Sequence, residues 1–578
     1  MNGRFMLNKI NQTGLVKTTL GTVFLLALTL SFQAEAKRYL VVLKSEQTYR
    51  QVQSQFQKSQ RQRNEFSLSG VNLTLGETSV KPFEGVNAKV EQSLTHLKTL
   101  VVDAKSAKDI KKMAKDPSVL LIEEETFIPA PKPIGGMHLY PAWDYSLNAS
   151  MLSSPSDLGV NTPWGIKAVK APEAWATAHS GNGARVLVLD TGIDHDHPAV
   201  KANFEQGKDF VHDNITPYPY ADKVGHGTHV AGTIGASVGA YGFVGVAPEA
   251  KILAGRVCSD QGCSNISIAE GINWGIEQKV DVINMSLGGA MSTSSEKQAI
   301  IAAEKAGVII VAAAGNDGTP KVGYPAALPN VIAVGAVDSS LKRAQFSQYG
   351  PELFIVAPGV EVVSSVPLGT ARAAKVNLKV GDQTQDVPTL AFYGSMELKS
   401  PLSGDLILAG KGKVEDLAGK SMVGRIALVQ RGEISFQDKA KNVLKSGAKG
   451  MIVYNTEPGL FKGAISKDST TMNLAAFLIE KEVGEKLVLQ MTNGAQASAQ
   501  MSIDPADYDS YAGTSMATPH VAGVVALIKA TNKKLTPAQV RSILKETAVP
   551  TAENNTQNEY GHGLVDAQAA CAKAATLH

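Results

Sequence analysis

Three cysteines in 578 residues are too few for a scaffold built on disulfides. No stretch reaches the roughly 18 uninterrupted apolar residues of a bilayer-spanning helix, so nothing reads as a transmembrane segment. An excess of one charge is also missing: 56 Lys and Arg stand against 53 Asp and Glu, a formal net charge of +3. No internal repeat is evident. What is present is 44% hydrophobic and 19% charged residues, a balance that buries sizeable cores and excludes a wholly disordered or collagen-like chain. At roughly 100 to 200 residues per domain, the length predicts about three to five folded units.

The small positive charge is unevenly placed. Residues 37–130 hold 15 basic and 11 acidic side chains, whereas residues 131–578 hold 38 and 41. A basic front on a slightly acidic remainder lacks the clustered basic face of a nucleic-acid binder and suggests a separable front segment. Ahead of it, Arg4, Lys9 and Lys17 precede the apolar run Leu20 to Leu30 and then Ala34-Glu-Ala36. That order predicts a signal peptide over 1–36 and export from the cytoplasm, to the periplasm or beyond the cell. Export favours a local disulfide between Cys258 and Cys263, which bracket Ser-Asp-Gln-Gly; the alternative is two free thiols, and the spacing is not that of a four-ligand zinc site. Cys571 is left over.

Hydrophobic patterning divides the rest. Strand-like Tyr39–Leu43 and Thr99–Val102, a charged helical stretch from Ser106 to Lys115 and the run Val119–Ile122 predict a small α+β domain over 37–130. A Pro-, Gly-, Ser- and Asn-rich linker follows over 131–160. From 161 to 369, near-continuous apolar strands at Ala184–Leu189, Lys251–Val257, Val280–Asn284, Gly307–Ala313 and Val331–Val337 alternate with helices. This predicts an α/β, doubly wound parallel sheet covered on both faces, with its site at the C-terminal strand ends. Residues 370–500 change texture to Lys-rich hairpins and Gly turns, an insert, before a helix-rich end over 501–578.

Three stretches carry chemistry. Val186-Leu-Val-Leu-Asp190 places an acid directly after a buried strand. Gly225-His226-Gly-Thr-His229 leads a histidine into a helix, and Gly513-Thr-Ser515-Met-Ala-Thr-Pro519 puts a serine where a loop becomes a helix. Hydrolysing an amide at neutral pH needs a nucleophile, a base that activates it, and an acid that holds the base in one tautomer. These are the three residue types, in a specific order and setting.

Together with Asp281-Val-Ile-Asn-Met-Ser-Leu-Gly-Gly289, Val311-Ala-Ala-Ala-Gly-Asn316, Tyr324-Pro-Ala and Gly561-His-Gly-Leu-Val-Asp566, these motifs resemble the subtilisin-like serine proteases, or subtilases, from about Pro163 to Ala570 outside the insert. The resemblance implies Asp190 as the orienting acid, His226 as general base and Ser515 as nucleophile. It implies Asn316 as the oxyanion-hole side chain, beside the N–H of Ser515. Ser286, Leu287 and Gly288 would pair with an extended substrate, Ala313, Ala314 and Gly315 would form the opposite wall of the main pocket, and Gly323 its floor. A missing side chain at the floor implies room for a large apolar residue before the scissile bond. His229 is expected to pack rather than react, and His226-x-x-His229 lacks the arrangement of zinc peptidases.

The resemblance also implies that 37–130 is an inhibitor-type propeptide removed by self-cleavage within the linker, its pairing favoured by opposite net charges. The insert, through Gly424-Arg-Ile-Ala-Leu-Val-Gln-Arg-Gly432 and Phe436 to Tyr454, resembles a protease-associated (PA) domain, either a lid or exosite for large substrates or an inert spacer. Two oxygen ligands of the usual calcium site are replaced by Ala199 and Gly239, so no metal and no cofactor is expected. Asp194, Asp196, Asp213 and Asn214 read as solvated loop side chains. The expectation is a monomeric secreted endopeptidase acting on proteins or peptides, inhibited by its own propeptide. The alternatives are a catalytically inactive binding protein on the same fold, and a lipase-type hydrolase, whose nucleophile turn and Ser-acid-His order are both absent here.

Overall fold

A computed structural model describes residues 37–577 apart from 68–85, 87, 105, 132–139, 142–161, 239–242, 458, 461–462, 467–469 and 552–556. The expected signal peptide, most of the linker with its maturation site, and Gly239 lie outside the described residues.

The front segment forms an antiparallel sheet of β1 (Lys37–Leu43), β2 (Ala88–Leu94), β3 (Thr99–Ala104) and β4 (Val119–Glu124), in the order β2-β3-β1-β4. Helices α1 (Glu46–Ser67) and α2 (Ala107–Met113) accompany it. Alternation sorts its side chains. Val41, Leu43, Leu100 and Val102 join Tyr49 and Met113 in the domain's own core, whereas Leu40 and Val101 turn to the central domain. The short strand β5 (Phe127–Ile128) follows.

The central domain is built on seven parallel strands: β6 (Arg185–Asp190), β7 (Phe204–Asp209), β8 (Lys251–Arg256), β9 (Val282–Met285), β10 (Ile309–Ala313), β11 (Ile332–Val337) and β12 (Ile355–Pro358). Their order is β12-β11-β10-β9-β6-β8-β7. Five were legible as apolar runs. The edge strands β7 and β12 were not, because Phe204-Glu-Gln-Gly-Lys-Asp209 is mostly polar and β12 is short and ends in proline.

Both faces of the sheet are buried, with period-2 alternation. Val186, Val188, Ile252, Val282 and Val311 face α3 (His226–Gly235) and the later helix at Thr514–Thr531. Leu187, Leu189, Leu253, Ile283 and Ile310 face α4 (Asn265–Glu277) and α5 (Ser294–Lys305). The Thr514–Thr531 helix, α6, is buried along nearly its whole length. Strand order reverses at β6, with β8 on one side and β9 on the other, and such a reversal opens a crevice at the C-terminal strand ends.

The insert is a separate β-rich unit. Ala371–Val380 pairs over ten residues with Ala497–Ala506, and Leu402–Leu408, Ile426–Gln430, Gly450–Tyr454 and Ala475–Ile479 form parallel pairs beyond it. It therefore runs to Ala506, six residues past the expected boundary, because the last strand closes the sheet opened by the first. Its neck is an antiparallel pair, Val362–Ser365 with Tyr508–Tyr511, within the central domain.

The fit of α3 against β6 leaves no room for a side chain at Gly227: a Cβ there would lie 2.1 Å from the Gly192 carbonyl oxygen and 3.2 Å from Asp190 Cβ. Gly227→Ala, placed in a Ser515→Ala background to prevent self-digestion, is expected to destabilise the central domain by about 1–3 kcal/mol. A lower thermal unfolding midpoint than in the Ser515→Ala parent checks this.

Candidate active site

Asp190 is the last residue of β6, and the strand delivers its carboxylate to the sheet's C-terminal edge. His226 is the first residue of α3, and its Nδ1 donates to Asp190 Oδ1 at 2.8 Å. Both side chains are fully buried. Asp190 Oδ1 also accepts the Thr191 N–H at 2.8 Å. His226 Nε2, on the other side of the ring, has no hydrogen-bond partner among the described residues. An imidazole so held has a defined tautomer, with its basic nitrogen unengaged.

Ser515 is the second residue of α6, entered through Gly513 at φ 151°, a conformation that side-chain-bearing residues rarely adopt. Four residues on, Pro519 lacks the N–H that would bond the Ser515 carbonyl. Ser286 fills the gap: its Oγ donates to the Ser515 carbonyl at 2.8 Å, and Asn284 Nδ2 donates to that same Oγ at 3.0 Å. In return the Ser515 hydroxyl donates to the Ser286 carbonyl at 3.0 Å. The nucleophile candidate thus rests on the first of the three expected substrate-pairing residues, just beyond β9.

Asn316 is fixed by its oxygen, which accepts the Thr514 N–H and the Thr514 hydroxyl, both at 2.9 Å. Its amide nitrogen is left to face away from those bonds, beside Gly513. Ala313 ends β10, Ala314 follows, and the Gly315 N–H donates to Thr514 Oγ1 at 3.1 Å. The Gly323 N–H donates to the Ala314 carbonyl at 2.8 Å, and Tyr324 exchanges two backbone bonds with Gly289, next to Leu287 and Gly288. The expected floor is therefore bonded to one expected wall, and the residue after it to the residue after the other.

Two contributors went unrecognised in the sequence. Asp222 is buried and accepts from the Thr191 hydroxyl, the Val224 and Gly225 N–H groups, and the N–H and hydroxyl of Thr228, at 2.7–3.0 Å. Burial pushes its carboxyl pKa up, and the donors pull it back. It locks the start of α3 to the residue after Asp190; its signal was only an acid four residues before His226. The second is the strand Gly262–Ser264, which forms a hairpin with Cys258–Ser259 and pairs antiparallel with β5. The structure joins Cys258 to Cys263 across this hairpin.

His229 is buried, with Nε2 donating to the Val362 carbonyl at 2.9 Å and its ring stacked on Tyr511. Burial, then the neighbouring His226, lowers its pKa to about 3, so it stays neutral. Burial also takes His520 down to about 4 and Cys571 up to about 12. Asp213, expected to be a solvated loop acid, forms a forked pair with Arg256 at 2.6 and 2.7 Å. Asp194 accepts from the Tyr218 hydroxyl and the Leu368 N–H, and Asp196 lies 3.4 Å from Lys201. Ala199 is buried at the start of a short helix, its N–H donating to His197 Nδ1.

Comparison with known proteins agrees with this geometry. The subtilase family model matches residues 181–389 and 485–563, and the PA domain model matches 402–487. Subtilisin NAT of Bacillus subtilis subsp. natto is 40% identical over 268 residues, 46% of this chain. The chain spans 62% of that relative's length. The subtilisin of Bacillus pumilus is 43% identical over 215 residues, 36% of this chain and 77% of its own. The minor extracellular protease Vpr of Bacillus subtilis (strain 168) is 30% identical over 461 residues, 70% of this chain and 52% of its own. Among solved structures, the psychrophilic subtilisin-like protease Apa1 from Pseudoalteromonas sp. AS-11 aligns with a TM-score of 0.55 at 29% identity, covering 71% of this chain and 97% of that one. The chain belongs to the subtilase family, with a PA domain inserted in its central domain.

Proposed function

We propose that this protein is a secreted serine endopeptidase, made as a zymogen, that cleaves proteins through Asp190, His226 and Ser515. The observation that carries the reading is a buried imidazole held on one nitrogen by Asp190 and unengaged on the other, on the same sheet edge that seats Ser515.

In this reading the Ser515 hydroxyl turns from the Ser286 carbonyl to His226 Nε2, which takes its proton as Oγ bonds to the scissile carbonyl carbon. Asp190 holds the imidazolium that forms. The oxygen that becomes negative meets Asn316 Nδ2 and the N–H of Ser515, one of the four at a helix start without an intrahelical acceptor. His226 then gives its proton to the leaving amine, and a water activated in the same way hydrolyses the acyl-enzyme. The vacated Ser286 carbonyl becomes free to accept a substrate N–H. The pocket floored by Gly323 takes a large apolar side chain. None of these steps calls on a metal or cofactor, and the expectation of none stands as part of this proposal. Pairing of β5 with Gly262–Ser264 supports the inhibitor role of residues 37–130, since its Ile128 also lies against Gly289, next to the proposed substrate-pairing residues Ser286 to Gly288.

A serine-directed phosphonofluoridate should label the wild type and not Ser515→Ala, and Ser515→Ala should keep residues 37–130 attached; labelling that persists in the mutant would refute the assignment. Asn316→Ala is expected to lower kcat about 100- to 1000-fold with KM little changed, read by steady-state peptide hydrolysis. Because the Cys258–Cys263 bridge braces the strand on which β5 pairs, the double Cys→Ser variant is expected to raise KM for peptides extended on the N-terminal side of the scissile bond. Cleavage of a minimal single-residue ester should be unchanged in the same variant.

A further inference from the structure

The front domain covers a carboxylate that the proposed chemistry does not use. Glu270 lies on α4 with 1% of its surface exposed, and neither of its oxygens has a hydrogen-bond partner among the described residues. Arg38 of β1 approaches from the front domain, with Nη2 3.5 Å from Glu270 Oε1. That guanidinium is shared: Nη1 lies 3.0 Å from Glu125 and Nε 3.3 Å from Glu91. On the central domain's side, Lys208 of β7 acts from farther away, and His212 Nε2 is 4.0 Å from Glu270 Oε2. One arginine therefore faces three carboxylates. Only Glu270 has lost both water and hydrogen bonds, the setting in which an ionised carboxylate is most costly.

We propose that Glu270 is a proton-dependent clamp for residues 37–130, closing the interface when protonated and loosening it when ionised. This rests on the zymogen reading above. Burial outweighs Arg38 and Lys208 and pushes the Glu270 carboxyl up to about 7 in the closed form. Departure of the front domain removes both the cover and Arg38, returning Glu270 toward the ordinary glutamate value of about 4.3. Docking thus takes up a proton. The stabilisation is complete below the ordinary carboxylate range and is lost as pH rises through about 7. His212, more than half exposed and 4.0 Å away, adds little to this balance. The inhibitor is accordingly held in mildly acidic surroundings and released in alkaline ones.

The test uses the full Ser515→Ala chain, cut once between residues 131 and 161 by a trace of active enzyme. The two fragments are followed by gel filtration at about pH 5.5 and about pH 8.5, and the apparent Kd is expected to rise roughly tenfold or more at the higher pH. Glu270→Gln, neutral at every pH, should hold the fragments together at both. Arg38→Gln, made on the detachable side, should weaken the complex most at the higher pH, where Glu270 is ionised. Equal pH dependence in the parent and Glu270→Gln overturns the clamp while leaving the zymogen reading intact. Fragments that separate at both pH values in every variant overturn the zymogen reading, and the clamp with it.

Discussion

The bond from His226 Nδ1 to Asp190 Oδ1 is the constraint around which the central domain is arranged. A carboxylate at the end of a fully buried strand has left water, and it is tolerable only where donors and a partner that can carry positive charge meet it. His226 and the Thr191 N–H are those donors. The requirement dictates the approach of α3, which must bring its first residue to the strand end. The missing side chain at Gly227 permits that approach, and Asp222 secures it by gathering Thr191, Gly225 and Thr228 around one carboxylate. Small residues in the His226 motif are thus a packing condition for the hydrogen bond.

The nucleophile's helix is held by a complementary defect. Proline in a helix normally costs a hydrogen bond, and here the freed Ser515 carbonyl is bonded by Ser286. The two serines clasp each other, hydroxyl to carbonyl in both directions, so the end of β9 and the start of α6 are fixed as one unit. The insert is spliced in close by without disturbing this. Its neck strands pair directly, which keeps its two ends together, and the hydroxyls of Ser364 and Ser365 donate to the His229 and Thr228 carbonyls of α3. A long excursion that leaves and returns through one paired ribbon adds little closure cost to the domain.

What the sequence made legible follows from how local each signal is. Apolar strands and the three motif residues announce themselves within a few positions, and the structure brings Asp190 to His226; the clasp of Ser515 with Ser286 had no local signal. Features defined by long-range pairing stayed hidden. The polar strand Phe204–Asp209 is recognisable only from its ladder to Lys251–Arg256, and Gly262–Ser264 is a strand because Cys258–Ser259 and Phe127–Ile128 pair with it. Asp213 read as a solvated loop acid because nothing nearby in sequence shows that Arg256 will reach it. Asp222 was hidden in part for the same reason: four of its five donors lie within six residues, but the fifth, the Thr191 hydroxyl that ties it to the strand end, is 31 residues away.

Net charge proved the coarsest guide of all. A basic front segment on an acidic remainder suggests a general attraction, yet the contacts that join them mix both senses. Glu123 of the front domain accepts the Ser294 and Ser295 N–H groups at the start of α5, at 2.6 and 2.9 Å. Glu125 accepts from Ser264, the N-cap of α4. Carboxylates of the basic partner therefore sit at the positive ends of two helices on the acidic one: Glu123 accepts N–H groups of α5 directly, and Glu125 braces the Ser264 hydroxyl that takes the Ile266 and Ser267 N–H groups of α4. Arg38 runs the opposite way, into Glu270. Because α4 and α5 pack side by side on the sheet face opposite α3 and α6, a domain that completes both helix starts stabilises that layer as a whole. It can do so from outside the site while β5, a few residues on, pairs with Gly262–Ser264.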